Sequence, residues 1–125
     1  MGLKELIRTE EGLSGEALTK SKYHLPIIEA PDEVGAGELF KVRVRVGPHP
    51  STSEHYIKRL DIYLSEEGRG YNPVLIASVD LSHTYVEPNI ELSIKLFRDS
   101  KIHVVSYCTL HGLWEVTKEV KVKKS

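Results

Sequence analysis

The only cysteine of this 125-residue chain, Cys108, stands three positions before His111 in the run Ser106-Tyr107-Cys108-Thr109-Leu110-His111-Gly112-Leu113-Trp114-Glu115. A strand gives way to a turn there, and a thiol and an imidazole at that spacing can close on one metal ion. His49 and His55 bracket a second loop, Gly47-Pro48-His49-Pro50-Ser51-Thr52-Ser53-Glu54-His55, and His24 lies in Lys22-Tyr23-His24-Leu25-Pro26. Either pair alone is a weak signal, because loop histidines are common and a strand-end cysteine is more often a small buried hydrophobe. The joint pattern is stronger, since four imidazoles and the one thiolate can converge from loop-adjacent segments. Structural zinc closes with four ligands, so five are one too many. Imidazole suits iron, copper and zinc alike, and a single thiolate makes a mixed site appropriate to a redox metal. Four imidazoles in a plane with a thiolate below would leave one face open to a small oxidant, and the thiolate opposite would push electron density toward it.

Strands must carry these loops. Glu38 to Val46 alternates Phe40, Val42, Val44 and Val46 against Lys41, Arg43 and Arg45, which predicts a half-buried strand. The same period of two runs through Lys58 to Leu64 and Ile90 to Leu96, and more loosely through Val74 to Leu81, Lys101 to Tyr107 and Trp114 to Val122. With Leu25 to Ala30 these make seven strands, separated by Pro31-Asp32, Gly35-Ala36-Gly37, Gly68-Arg69-Gly70, Glu87-Pro88-Asn89 and Arg98-Asp99-Ser100. Seven short strands with polar outer faces predict an all-β, immunoglobulin-like antiparallel β-sandwich. Leu3, Leu6 and Ile7 form an apolar stripe for a short N-terminal helix, and Ser14 to Ser21 reads as loop. One domain is expected over 1–125, with 1–23 an N-terminal extension and 24–125 the sandwich.

The chain carries 17 basic and 18 acidic side chains, a net charge of −1, which excludes the broad cationic face that nucleic acid or anionic lipid requires. No apolar run approaches the length of a spanning helix, and the first residues lack a signal peptide's apolar centre, so a cytoplasmic protein is expected. A lone cysteine makes no internal disulfide, in keeping with a reducing compartment.

The residues resemble the superoxide reductases, a family that includes the neelaredoxins and, with an extra domain, the desulfoferrodoxins. Its signature is a His-Val-Pro segment, a His-Pro-x-x-x-x-His loop and a Cys-x-x-His-Gly-x-Trp-Glu turn. These read here as His24-Leu25-Pro26, His49 to His55, and Cys108 to Glu115, in matching order. The resemblance implies the sandwich fold and an iron ion held equatorially by His24, His49, His55 and His111 and axially by Cys108. It also implies one-electron reduction of superoxide to hydrogen peroxide, re-reduction by rubredoxin or a similar donor, and a homotetramer. The four-cysteine module of desulfoferrodoxins is missing, which leaves the one-iron form.

The chain departs from the pattern just before the first histidine, where the family usually carries Glu-Lys and this sequence has Lys22-Tyr23. In the family the glutamate binds oxidised iron and the lysine attracts superoxide. Lys22 or Lys20 is expected to supply the positive field here, with Glu16 as a sixth ligand brought in from an apparent insertion. His83 and His103 fall outside the motifs, and Trp114 reads as a packing residue beside the site. Two other classes compete: a blue-copper electron carrier, which wants two histidines and an axial methionine whereas the only methionine is Met1, and a non-catalytic sandwich that binds a partner.

Overall fold

Alternation in the sequence becomes two facing sheets in the computed structural model, which describes Met1 to Lys124. The strands are β1 (Ile27–Glu29), β2 (Glu33–Gly35), β3 (Phe40–Arg45), β4 (Ile57–Glu66), β5 (Val74–Asp80), β6 (Asn89–Ile94), β7 (Ser100–Cys108) and β8 (Gly112–Lys123). One sheet runs β1-β3-β6 and the other β2-β8-β7-β4-β5. Along β3, Val42 and Val44 point inward while Lys41, Arg43 and Arg45 stay in water, so this strand turns a single apolar face to the core. Leu60 and Ile62 of β4, Ile102 and Val104 of β7, and Val120 of β8 meet them from the opposite sheet, all fully buried. The outer faces are tied by charge instead: Arg43 pairs with Glu91 across β3 and β6 at 3.2 Å, and Arg45 with Glu29 at 3.2 Å.

Three features depart from expectation. There are eight strands among the described residues rather than seven, because Glu33–Gly35, in a stretch that reads as turns, adds to the edge of β8 with Val34 buried. That pairing is parallel, whereas every other pair is antiparallel. The third departure concerns Ser14 to Ser21, expected as loop: Gly15–His24 forms a ten-residue helix, α2, following the short α1 at Leu3–Leu6. Glu16, Ala17, Leu18 and Lys20 favour a helix, and Pro26 stands two residues past its end. No apolar stripe announces α2, since Leu18 is exposed, and His24 is its one buried residue. Leu3 and Leu6 of α1 are likewise exposed.

Register brings the site together. β4 and β7 pair with Ile57 opposite Cys108, which places His55, two residues earlier, at the end of β7. The β7–β8 hairpin closes with Cys108 opposite Gly112. Thr109, Leu110 and His111 form its three-residue loop, and Gly112 takes the left-handed conformation (φ 77°) that such loops need. The N-terminal segment then lies along the outside of β8: the N–H of Arg8 donates to the Leu113 carbonyl at 3.1 Å, and the Glu115 N–H donates to the Arg8 carbonyl at 2.7 Å.

Candidate metal centre

Four imidazole rings stand as a windmill at the end of the five-stranded sheet. Neighbouring centroids are 4.8 Å (His24–His49), 4.8 Å (His49–His55), 5.1 Å (His55–His111) and 4.9 Å (His111–His24) apart. Neighbouring planes are inclined by 70–87°, while the opposed rings His24 and His55 lie 6.5 Å apart at 22°. A ring of four nitrogens around one point is the consequence. Cys108 sits behind it, fully buried, with Sγ 3.4 Å from His49 Nε2 and 3.7 Å from His111 Nδ1. One donor atom from each of His24, His49, His55 and Cys108 lies within 4.8 Å of all the others, a group able to hold a metal ion. His111 joins them through Nδ1, 3.2 Å from His24 Nε2.

Hydrogen bonds fix which nitrogen is free. His24 Nδ1 is 2.8 Å from the Lys20 carbonyl, and His49 Nδ1 is 2.7 Å from the Pro50 carbonyl. A carbonyl only accepts, so both Nδ1 atoms carry the proton and both Nε2 atoms present lone pairs. Those two Nε2 atoms face each other at 3.2 Å, where two lone pairs repel unless a cation stands between them. Two ligands at right angles around a metal with bonds of about 2.1 Å stand about 3.0 Å apart, which the observed spacing fits. His55 Nε2 is buried with no hydrogen-bond partner at all, an orphan that a metal would satisfy. Burial holds His24 and His111 below the ordinary imidazole value and pushes His49 down to about 4, so these three rings are neutral at pH 7 and ready to ligate.

Outer contacts hold the rings in place. Trp114, fully buried, stacks on His24 (centroids 5.0 Å, 23°) and donates its indole N–H to the His111 carbonyl at 3.1 Å. Ser106 donates to the His24 carbonyl at 2.9 Å, pinning the end of α2 to β7. Thr109 couples the two ligand loops: its Oγ1 donates to the Glu54 carbonyl (3.1 Å) and accepts from the Tyr56 N–H (3.2 Å), while its own N–H donates to the Tyr56 carbonyl (3.1 Å). The His111 N–H donates to Cys108 Sγ at 3.4 Å, a bond that stabilises sulfur charge. Sequence patterning leaves Ser106 and Thr109 unassigned, although both lie inside the cysteine run that drew attention to the site.

The ring plane opens on the side away from sulfur into a cleft lined by Thr19, Lys20, Tyr23, Pro48, Pro50 and the four histidines. Lys20 is the basic residue of that lining, and its Nζ lies 3.8 Å from Glu16, one helical turn earlier. Glu16 belongs to an adjoining pocket with Arg8, His111 and Trp114. Lys22 sits over the Tyr23 ring (4.9 Å) and lines a separate groove with Ser21, Leu25 and Pro26. His103 stands outside the cluster, between Ser65 Oγ (2.6 Å) and Thr117 Oγ1 (3.0 Å), and His83 packs edge-on against Tyr56.

A two-sheet sandwich with four imidazoles and one thiol clustered at one end is the arrangement of a metal-binding β-protein, and the chain as a whole is similar to known proteins. The desulfoferrodoxin family profile matches residues 16–117. A superoxide reductase of Pyrococcus horikoshii is 38% identical over 119 residues, covering 90% of this chain and 94% of the relative. The solved superoxide reductase (neelaredoxin) of Ignicoccus hospitalis superimposes with a TM-score of 0.93 at 44% identity, over 98% of this chain and all of that one. That of Nanoarchaeum equitans gives 0.73 at 34% identity, over 91% and 99%. The chain belongs to the desulfoferrodoxin family.

Proposed function

We propose that the protein is a superoxide reductase, which reduces superoxide by one electron at a mononuclear non-haem iron held by His24, His49, His55, His111 and Cys108. The observation that carries this reading is the ring of four imidazoles with a buried thiol on one side and an open cleft on the other. Iron bound there supplies the single electron, so that superoxide, one electron and two protons give one hydrogen peroxide. The protein's own residues do the rest. Trp114 and Ser106 hold His24 and His111 in orientation, and the buried Cys108 offers a thiolate shielded from solvent. Lys20 in the cleft wall draws the anionic substrate to the open face, with Lys22 adding to the field from the neighbouring groove. Glu16, paired with Lys20 one turn away, is the carboxylate that would serve as a further ligand once that pair separates.

The donor set argues against a copper carrier: four imidazoles face the site where such a carrier uses two, and Met1, the methionine it would need as axial ligand, is 97% exposed. Rubredoxin or a similar carrier as electron source and a homotetramer complete the proposal by family resemblance, and a cytoplasmic setting by the lone cysteine, which suits a reducing compartment. Among the described residues no helix is long and apolar enough to cross a membrane. X-ray absorption on protein loaded anaerobically with ferrous iron tests the site: four nitrogen neighbours and one sulfur, at one iron per chain, are expected, and a shell without sulfur would refute it.

A further inference from the structure

Outside the ligand set, one residue has a backbone that its side chain disfavours. Thr84 is the only non-glycine among the described residues with positive φ (73°), and for a β-branched residue this conformation is a genuine outlier. Such strain persists where neighbouring contacts impose it. Here the Thr84 N–H donates to Ser51 Oγ at 2.8 Å, and Ser51 lies inside the loop that carries His49 and His55. The flanking contacts point the same way. His83 Nδ1 lies 3.0 Å from Thr84 Oγ1, the Tyr85 N–H folds back on the His83 carbonyl at 2.8 Å, and the His83 ring packs edge-on against Tyr56, next to His55. At the base of the segment the Leu81 N–H donates to the Lys58 carbonyl (2.8 Å) and Leu81 is buried in the core, which gives the clamp a rigid root.

We propose that residues 81–85 form an outer clamp on the ligand loop, in which Ser51 and His83 are positioning residues that set His49 and His55 for the metal. The Cys108–His111 turn grips the loop from one side through Thr109, and the strained Thr84 turn grips it from the other. Without the second grip, residues 50–54 keep the Thr52–His55 pair and the Thr109 bond to the Glu54 carbonyl, both at the His55 end, and the Pro50–Ser51 end, whose carbonyl holds His49 Nδ1, loses its anchor. Support of this kind beyond the ligands commonly changes metal affinity by about 10–100-fold.

The inference rests on the five-ligand reading, and cobalt(II) is the probe that tests it without turnover. Affinity is measured on metal-free full-length protein by competition with a chelator, together with the visible spectrum of the cobalt form and the melting temperature of the metal-free form. Ser51→Ala is expected to bind cobalt about tenfold more weakly, with shifted ligand-field bands and an unchanged melting temperature. His83→Ala is expected to act in the same direction. Wild-type affinity and spectrum in Ser51→Ala overturn the clamp, and so does a weakened affinity matched by a collapsed melting temperature, which would make Ser51 a residue of the fold. Wild-type protein that binds no cobalt overturns this inference and the five-ligand reading together.

Discussion

Lys20 does two things at once. Its carbonyl holds the proton on His24 Nδ1, and its side chain lines the open cleft above the rings. Replacing the side chain leaves the carbonyl in place, so Lys20→Met removes charge without disturbing the ligand. At low salt, Lys20→Met is expected to slow the second-order reaction with superoxide about tenfold and to flatten its ionic-strength dependence, with a smaller effect from Lys22→Met. Pulse radiolysis at varied salt measures both, and an unchanged slope in Lys20→Met would remove Lys20 from the steering role. Cys108→Ser tests the other side of the plane: the sulfur-to-metal charge-transfer band is expected to vanish from the visible spectrum of the oxidised protein. At this scale the five clustered side chains are legible in the sequence, because their motifs stand out by residue type and spacing, although His24 comes from the end of a helix and the other four from loops and turns next to strands. The placement of the lysines is not legible, since it depends on a helix whose residues show no apolar periodicity.

That helix is the element that carries His24. Only His24 is buried along α2, so the helix is held by its ends: at its C-terminus the Ser106 hydroxyl and the Trp114 stack fasten His24, and ahead of it Arg8 zips the chain to β8. Thr19→Pro in its middle removes a backbone N–H and clashes with the Gly15 carbonyl, costing about 3 kcal/mol. The result expected is weakened metal binding with little change in the melting of the metal-free sandwich, and isothermal titration with cobalt checks it. Strand patterning was readable where a strand alternates over six residues or more, as in β3, β4 and β7. It failed for β2, whose three residues are too few to show a period and which is held by the edge of β8 rather than by its own pattern. α2 escapes for the opposite reason: its sequence is helix-favouring, but its one buried residue is a histidine.

Over the whole molecule the buried histidines tie stability to pH. His24, His49, His103 and His111 all lie below the ordinary imidazole value because burial penalises the charged ring, His49 reaching about 4. Below pH 6.5 the unfolded chain therefore binds more protons than the folded one, and stability must drop as pH drops. The midpoint of urea unfolding of the metal-free protein is expected to fall between pH 6.5 and about 4, and a flat or rising midpoint would contradict these environments. The sandwich itself rests on packing at the centre of both sheets. Leu60→Ala, at a site with no solvent exposure, is expected to cost about 2–5 kcal/mol in the same assay while leaving the ligand geometry intact.

The most direct test is product stoichiometry when the iron-loaded, fully reduced protein meets superoxide without an added donor. One hydrogen peroxide per superoxide consumed and no dioxygen evolved is the predicted result, with the protein oxidised once per event. Dioxygen released at half the superoxide consumed, or no reaction faster than spontaneous disproportionation, would contradict it.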